Sequence, residues 1–94
     1  MIEVLPGRLR VTSPMRMAQA SALLAAGCKA LQPGEQIVDL GAVSDVDSSA
    51  VAVLLGWLRA APHSRSTLRF ARIPASIAAL ADLYGVSELL LRAD

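Results

Sequence analysis

Four oxygen-bearing side chains fall within five residues, Asp45, Asp47, Ser48 and Ser49, in the stretch SDVDSS. Carboxylates and hydroxyls so placed can accept the unpaired N–H groups at the start of a helix, and a serine there can carry a phosphate that the positive helix end stabilises. Asp and Ser are also the commonest capping residues, so the pattern serves either to terminate a loop or to present a contact or modification site. Hydrolysis through Ser48 or Ser49 needs a positioned base, and the one histidine, His63, stands in a polar loop with no Cys or Glu at ligand spacing. No catalytic residue is therefore assigned. Cys28 is the single cysteine, which rules out an internal disulfide, and the lack of a Cys/His cluster argues against a metal site. Asp39, at the end of an apolar run, reads as a structural hydrogen-bonding group. No G-x-x-x-x-G-K-[ST] loop or G-x-G-x-x-G fingerprint occurs, and no cofactor is expected.

The elements that must position the serine turn follow from pattern. Val4-Leu5, Pro6-Gly7 and the alternation from Arg8 to Thr12 read as a hairpin of two short strands. Ser13-Pro14 is a helix-start signal, and a helix from about Pro14 to Leu31 is expected to bury Met17, Ala20, Leu24, Cys28 and Leu31, with Leu23 widening the stripe. Pro33-Gly34 stops it. QIVDL, 36–40, reads as a buried strand, the serine turn follows, and a second helix runs from about Ser48 to Ala61. After the polar loop PHSRS, the alternating TLRFA predicts a strand with Leu68 and Phe70 inward. Pro74 opens a third helix to about Tyr84, with Ile77, Leu80, Ala81 and Tyr84 on one face, and Gly85 closes it. The tail VSELLLRAD fits either a strand or a short helix.

This order predicts a single α/β domain over 1–94, with a mixed sheet and crossover connections that place helices on at least one of its faces. A 54% hydrophobic content with only 3% aromatic residues requires an aliphatic core. Nine basic residues, scattered against eight acidic ones, leave a net charge of +1 and argue against nucleic acid as a partner. Glu3 and Pro6 interrupt any signal-peptide pattern, and the uncharged run from Ala50 to Leu58 is about half of the ~20 residues needed to span a bilayer. A cytoplasmic protein without a membrane span is expected.

The second helix is apolar on two sides. Val51, Leu54, Leu55 and Leu58 can dock on the sheet, while Val53, Gly56, Trp57 and Ala60 fall roughly opposite, with Ser49 at their head and Ala52 nearby. A small domain covers one side of a helix, which makes the Val53/Trp57 side an expected interface, with Trp57 as an anchor and Gly56 and Ala60 admitting a close backbone. The alternative is that Trp57 packs within the domain, under the Pro62 loop or the third helix.

The run D-L-x-x-V-x-x-V-D-S-S-A-V-A-V-L-L, 39–55, and the ending IAALADLYGVSELL, 77–90, resemble the STAS domain family of anti-sigma-factor antagonists, in particular its MlaB-like branch. The resemblance implies a STAS-like mixed sheet with helices packed mainly on one face. It implies a non-catalytic cytoplasmic subunit, peripheral to the inner membrane through its partner, that supports the ATPase of an Mla-type ABC phospholipid transporter maintaining outer-membrane lipid asymmetry. In that branch the residue after the Asp, here Ser48, engages the ATPase. The sigma-regulating branch implies instead an antagonist whose second serine, here Ser49, is phosphorylated by an anti-sigma factor kinase. Asp47, Ser48, Ser49, Ala52, Val53, Gly56, Trp57 and Ala60 are thus the expected partner contacts. Ala50 departs from both branches, which usually have Gly there.

Overall fold

The structure is a computed structural model and describes residues 1–91. Strands β1 (Ile2–Leu5), β2 (Arg8–Val11), β3 (Gly34–Asp39) and β4 (Ser66–Ala71) form one sheet in the order β1-β2-β3-β4. The first pair is antiparallel, with Val4 opposite Leu9, as a hairpin requires. The β2–β3 and β3–β4 pairs are parallel, and helices α1 (Met17–Ala30) and α2 (Ser49–Ala60) make the two crossovers. Helix α3 (Ala75–Leu83) follows β4. The tail forms a short helix α4 (Ser87–Leu91), which decides its conformation up to there, and its last residues, 92–94, lie outside the described residues.

Burial alternates along the strands. Leu9 and Val11, Gln36 and Val38, and Leu68 and Phe70 are all buried beneath the helices. Their neighbours Arg10, Glu35, Thr67 and Arg69 point to the other, open face. Two surface ion pairs lie across that open face, Arg10–Glu3 at 3.7 Å and Arg69–Glu35 at 3.3 Å. Gln36, a buried polar residue beside the equally buried Ser66, accepts hydrogen bonds through Oε1 from the Gln32 N–H at 2.8 Å and the Ser66 hydroxyl at 3.0 Å. It is therefore paired, as a buried amide must be.

Helix α1 differs from its sequence expectation in both start and rotation. It begins at Met17 and not at Pro14, because Met15 is buried and forms a parallel bridge with Val46 that a helical backbone could not make. The Arg16 N–H donates to Gln19 Oε1 and the Gln19 N–H donates back to the Arg16 carbonyl, which closes the first turn. The buried residues are Leu23 and Gly27; Met17 is 78% exposed and Leu24 is also exposed. In α3, Ile77 and Ala81 are buried as expected, Leu80 is half-buried, and Tyr84 lies past the end of the helix and is 54% exposed.

Candidate functional site: the serine turn and the outer side of α2

The reason for the rotation of α1 is Trp57. Its ring lies against Gly27, where a Cβ would collide with the indole, and its Nε1 donates to the Leu24 carbonyl at 3.3 Å. Trp57 is 1% and Val53 3% exposed. The expectation of an exposed Val53/Trp57 face is therefore corrected: α1 covers it. Gly56 and Ala60, on the same side, are half-buried, and Gly56 admits the Leu24 side chain instead of a partner backbone. Mid-helix glycine is unfavourable by about 1 kcal/mol relative to Ala. Gly27 was thus the available signal for this contact, and hydrophobic spacing overlooked it.

With Ala50, Val51, Val53, Leu54 and Trp57 all buried, α2 is enclosed along much of its length, and α1 covers its Trp57 side. Its outer side is what remains: Ser48, Ala52 and Arg59 are exposed, and Leu55 is half-buried. Alongside run the ends of α3 and α4, where Leu83, Tyr84 and Leu89 are exposed. Two shallow concavities mark this region. One of about 280 Å³ is lined by Ser48, Val51, Ala52, Leu55, Tyr84 and Val86. The other, about 300 Å³, lies between Leu55, Leu58, Arg59 and Leu89.

At the head of this surface, the capping is done by Asp47. Its Oδ1 accepts from the Ser49 N–H at 2.8 Å and its carbonyl accepts from the Ala50 N–H at 3.0 Å, whereas Ser48 makes no side-chain cap bond. The second oxygen, Oδ2, accepts from the Met17 N–H at 3.0 Å. The Asp47 carboxyl lies below its ordinary pKa, chiefly because of the Met17 N–H, with the Ser49 amide and hydroxyl and the charge of Arg16 adding to it. Arg16 also bridges to Asp45 at 3.0 Å. Ser48 is exposed, Ser49 is half-buried, and both stand at the N-terminal end of α2. His63 sits exposed past the other end of α2, in the 3-10 turn Ala61–Ser64. The length of α2, twelve residues or about 18 Å at 1.5 Å per residue, lies between its serine end and His63, which puts the imidazole out of reach as their base.

A second carboxylate marks the opposite end of the loop. Asp39, at the end of β3, is buried on the open side of the sheet, where Arg72 Nε and Nη2 donate to Oδ1 and Oδ2 at 2.9 and 2.7 Å. Arg8 Nη1 donates to Oδ2 at 3.0 Å, and the Gly41 N–H donates to Oδ1 at 2.9 Å. The Arg72 hydrogen bonds are the main reason that the Asp39 pKa falls to about 2, against the opposing effect of burial. Gly41 leaves room for the guanidinium, since a Cβ there would lie 2.5 Å from it. Asp39 is thus a structural residue, as its position in the sequence implied.

A mixed four-stranded sheet with its helices on one face and the serine turn beyond the end of a parallel strand define an α/β domain of STAS type. The chain belongs to that family: residues 3–92 match the family described as "Mlab, STAS domain". Among solved structures it is similar to the anti-sigma factor antagonist SpoIIAA in its unphosphorylated form. The TM-score is 0.73 at 14% identity, with 97% of this chain and 84% of that one covered. No curated protein matches by sequence. STAS domains mediate protein–protein interactions and are generally non-catalytic. Among the described residues no helix is long and apolar enough to cross a membrane.

Proposed function

We propose that this domain is the non-catalytic STAS subunit of an Mla-type ABC phospholipid transporter and binds its ATPase through the serine turn and the outer side of α2. The observation that carries the reading is the strip of exposed Ser48 and Ala52 and half-buried Leu55, continued by exposed Tyr84 and Leu89: polar at its head, apolar along its length and left open among the described residues. A polar group beside an apolar strip suits a protein partner, because the strip supplies area and the serine supplies direction. The match to the Mlab description over nearly the whole chain supports the same reading. Of the expected contacts, Ser48 and Ala52 remain direct ones, Ser49 and Asp47 act at the turn, and Val53 and Trp57 support the helix from inside.

Affinity capture of the tagged chain from its own cells, followed by mass spectrometry, tests this. An ABC ATPase should dominate the wild-type sample and disappear with Ala52→Asp, a change on the open strip. Recovery of the ATPase at wild-type level by Ala52→Asp would sink the interface. The second reading is an anti-sigma-factor antagonist switched at Ser49, whose place at the first turn of α2 beside Asp47 supports it. A phosphate there adds about −1.5 to −2 charge next to an ionised carboxylate, enough to repel an acidic partner surface. Capture of a kinase together with phosphoserine at Ser49 would favour it over the transporter.

A further inference from the structure

Asp47 makes more bonds than capping one helix requires. Its N–H donates to the Met15 carbonyl at 3.3 Å, its carbonyl closes the first turn of α2, and its two carboxylate oxygens take the first N–H of α1 and the first N–H of α2. The Met15 N–H in turn donates to the Asp45 carbonyl at 2.9 Å, and the Arg16–Asp45 ion pair flanks the crossing. Two segments thirty residues apart are thereby tied at one side chain, above a buried Met15. The outward consequence is that Met17, with 78% of its surface exposed, is held beside the serine turn.

We propose that Asp47 is a positioning residue, a latch that holds the first turn of α1 to the first turn of α2 so that Arg16, Met17 and Ser48 meet a protein partner as one surface. The inference deepens the binding reading above and rests on it for the identity of the partner. The chemistry of the latch demands a carboxylate, because two N–H donors converge on it and both oxygens must accept. An asparagine retains one accepting oxygen and presents an NH2 group to the other donor. Anything that draws the carboxylate away from Ser49, such as a phosphate on that residue, also loosens Met17, which couples the state of the serine turn to α1.

Three measurements on the full chain decide the matter. In the wild-type protein, NMR couplings across hydrogen bonds should link the Met17 and Ser49 amide nitrogens to the Asp47 side-chain carboxyl carbon; a missing Met17 coupling overturns the latch without any variant. In Asp47→Asn, at a temperature where the variant is fully folded, the Met17 amide should exchange with solvent about tenfold faster or more, as loss of a charge-assisted hydrogen bond implies. The core amide of Leu54 should stay as slow as in wild type. Affinity for the ATPase captured by the wild-type chain should fall about tenfold in the same folded variant, and be restored by no substitution other than a carboxylate. Unchanged affinity with a freed Met17 amide would overturn the positioning role. If the wild-type chain captures no ATPase, the partner reading fails by itself and the latch stands or falls on the two couplings.

Discussion

On one side of α2, Val53 and Trp57 are sealed beneath α1; on the other, Ala52 and Leu55 face outward beside Tyr84 and Leu89. Both sides are apolar in composition, and they differ in what the rest of the chain places against them. The inner side meets Gly27, whose missing Cβ is the space that the indole fills. Among the described residues the outer side meets the ends of α3 and α4, which leave shallow concavities. An apolar helix face is thus an interface only where no internal element has a complementary shape. Here the shape is provided for the larger residue, and the smaller Ala52 stays exposed.

The contrast should appear first as a difference in stability. Trp57→Ala is expected to cost about 3–5 kcal/mol in denaturant unfolding, as for large-to-small changes of buried aromatics. A cost below 1 kcal/mol would mean that α1 does not seal this side. Gly27→Ala attacks the same contact from across it and should cost about 3 kcal/mol, the upper end of overpacking, because the added methyl overlaps the indole. Combined with Trp57→Leu, its penalty should shrink, since the two changes share one volume; strict additivity in that double-mutant cycle would refute the shared contact.

The open face of the sheet sharpens the comparison, because there the buried Asp39 is covered by the charges of Arg72 and Arg8 instead of by apolar packing. The folded pKa of Asp39, about 2, lies below its ordinary 3.8. Its contribution, about 2 kcal/mol, is therefore complete above pH 4 and lost as the pH falls toward 2. Arg72→Ala should flatten that acid limb in a pH series of unfolding curves; an unaltered limb would show that Arg72 is not the cause. The smallest stability effect belongs to the outer side of α2. Ala52→Asp should change unfolding by no more than about 0.5 kcal/mol, the range for exposed surface positions, while it abolishes ATPase capture. A large loss of stability there would erase the distinction between the two sides.

Much of the fold was legible from local chemistry. Pro6-Gly7 placed the hairpin, the alternation of TLRFA placed Leu68 and Phe70 inward, and Pro33-Gly34 ended α1 close to its observed end at Ala30. The serine turn was legible as a helix start with Asp47 or Ser48 to cap it, and of the two the capping oxygen is that of Asp47. The rotation of α1 was not. In MAQASALLAAGCKA nearly every face is small or apolar, and spacing alone made Leu24 and Met17 look as suitable for the core as Leu23. The same degeneracy made Trp57 look like a partner anchor. The role of Asp47 at α1 was hidden for a different reason: its second acceptor bond goes to an amide thirty residues away.

The sequence by itself determined which segments before the C-terminal tail become strands and helices, the joining of β3 to α2 through Asp47, Ser48 and Ser49, and the family to which that pattern belongs. These depend on short-range matters, namely turn residues, side-chain alternation and the unpaired N–H groups of a helix end. Which side of α2 stays open, and that one carboxylate ties two helices together, only the tertiary structure decided. Both depend on what lies across a gap from residues far away in the chain, where the volume of an indole against a bare Cα outweighs the hydrophobicity that the two sides of the helix share.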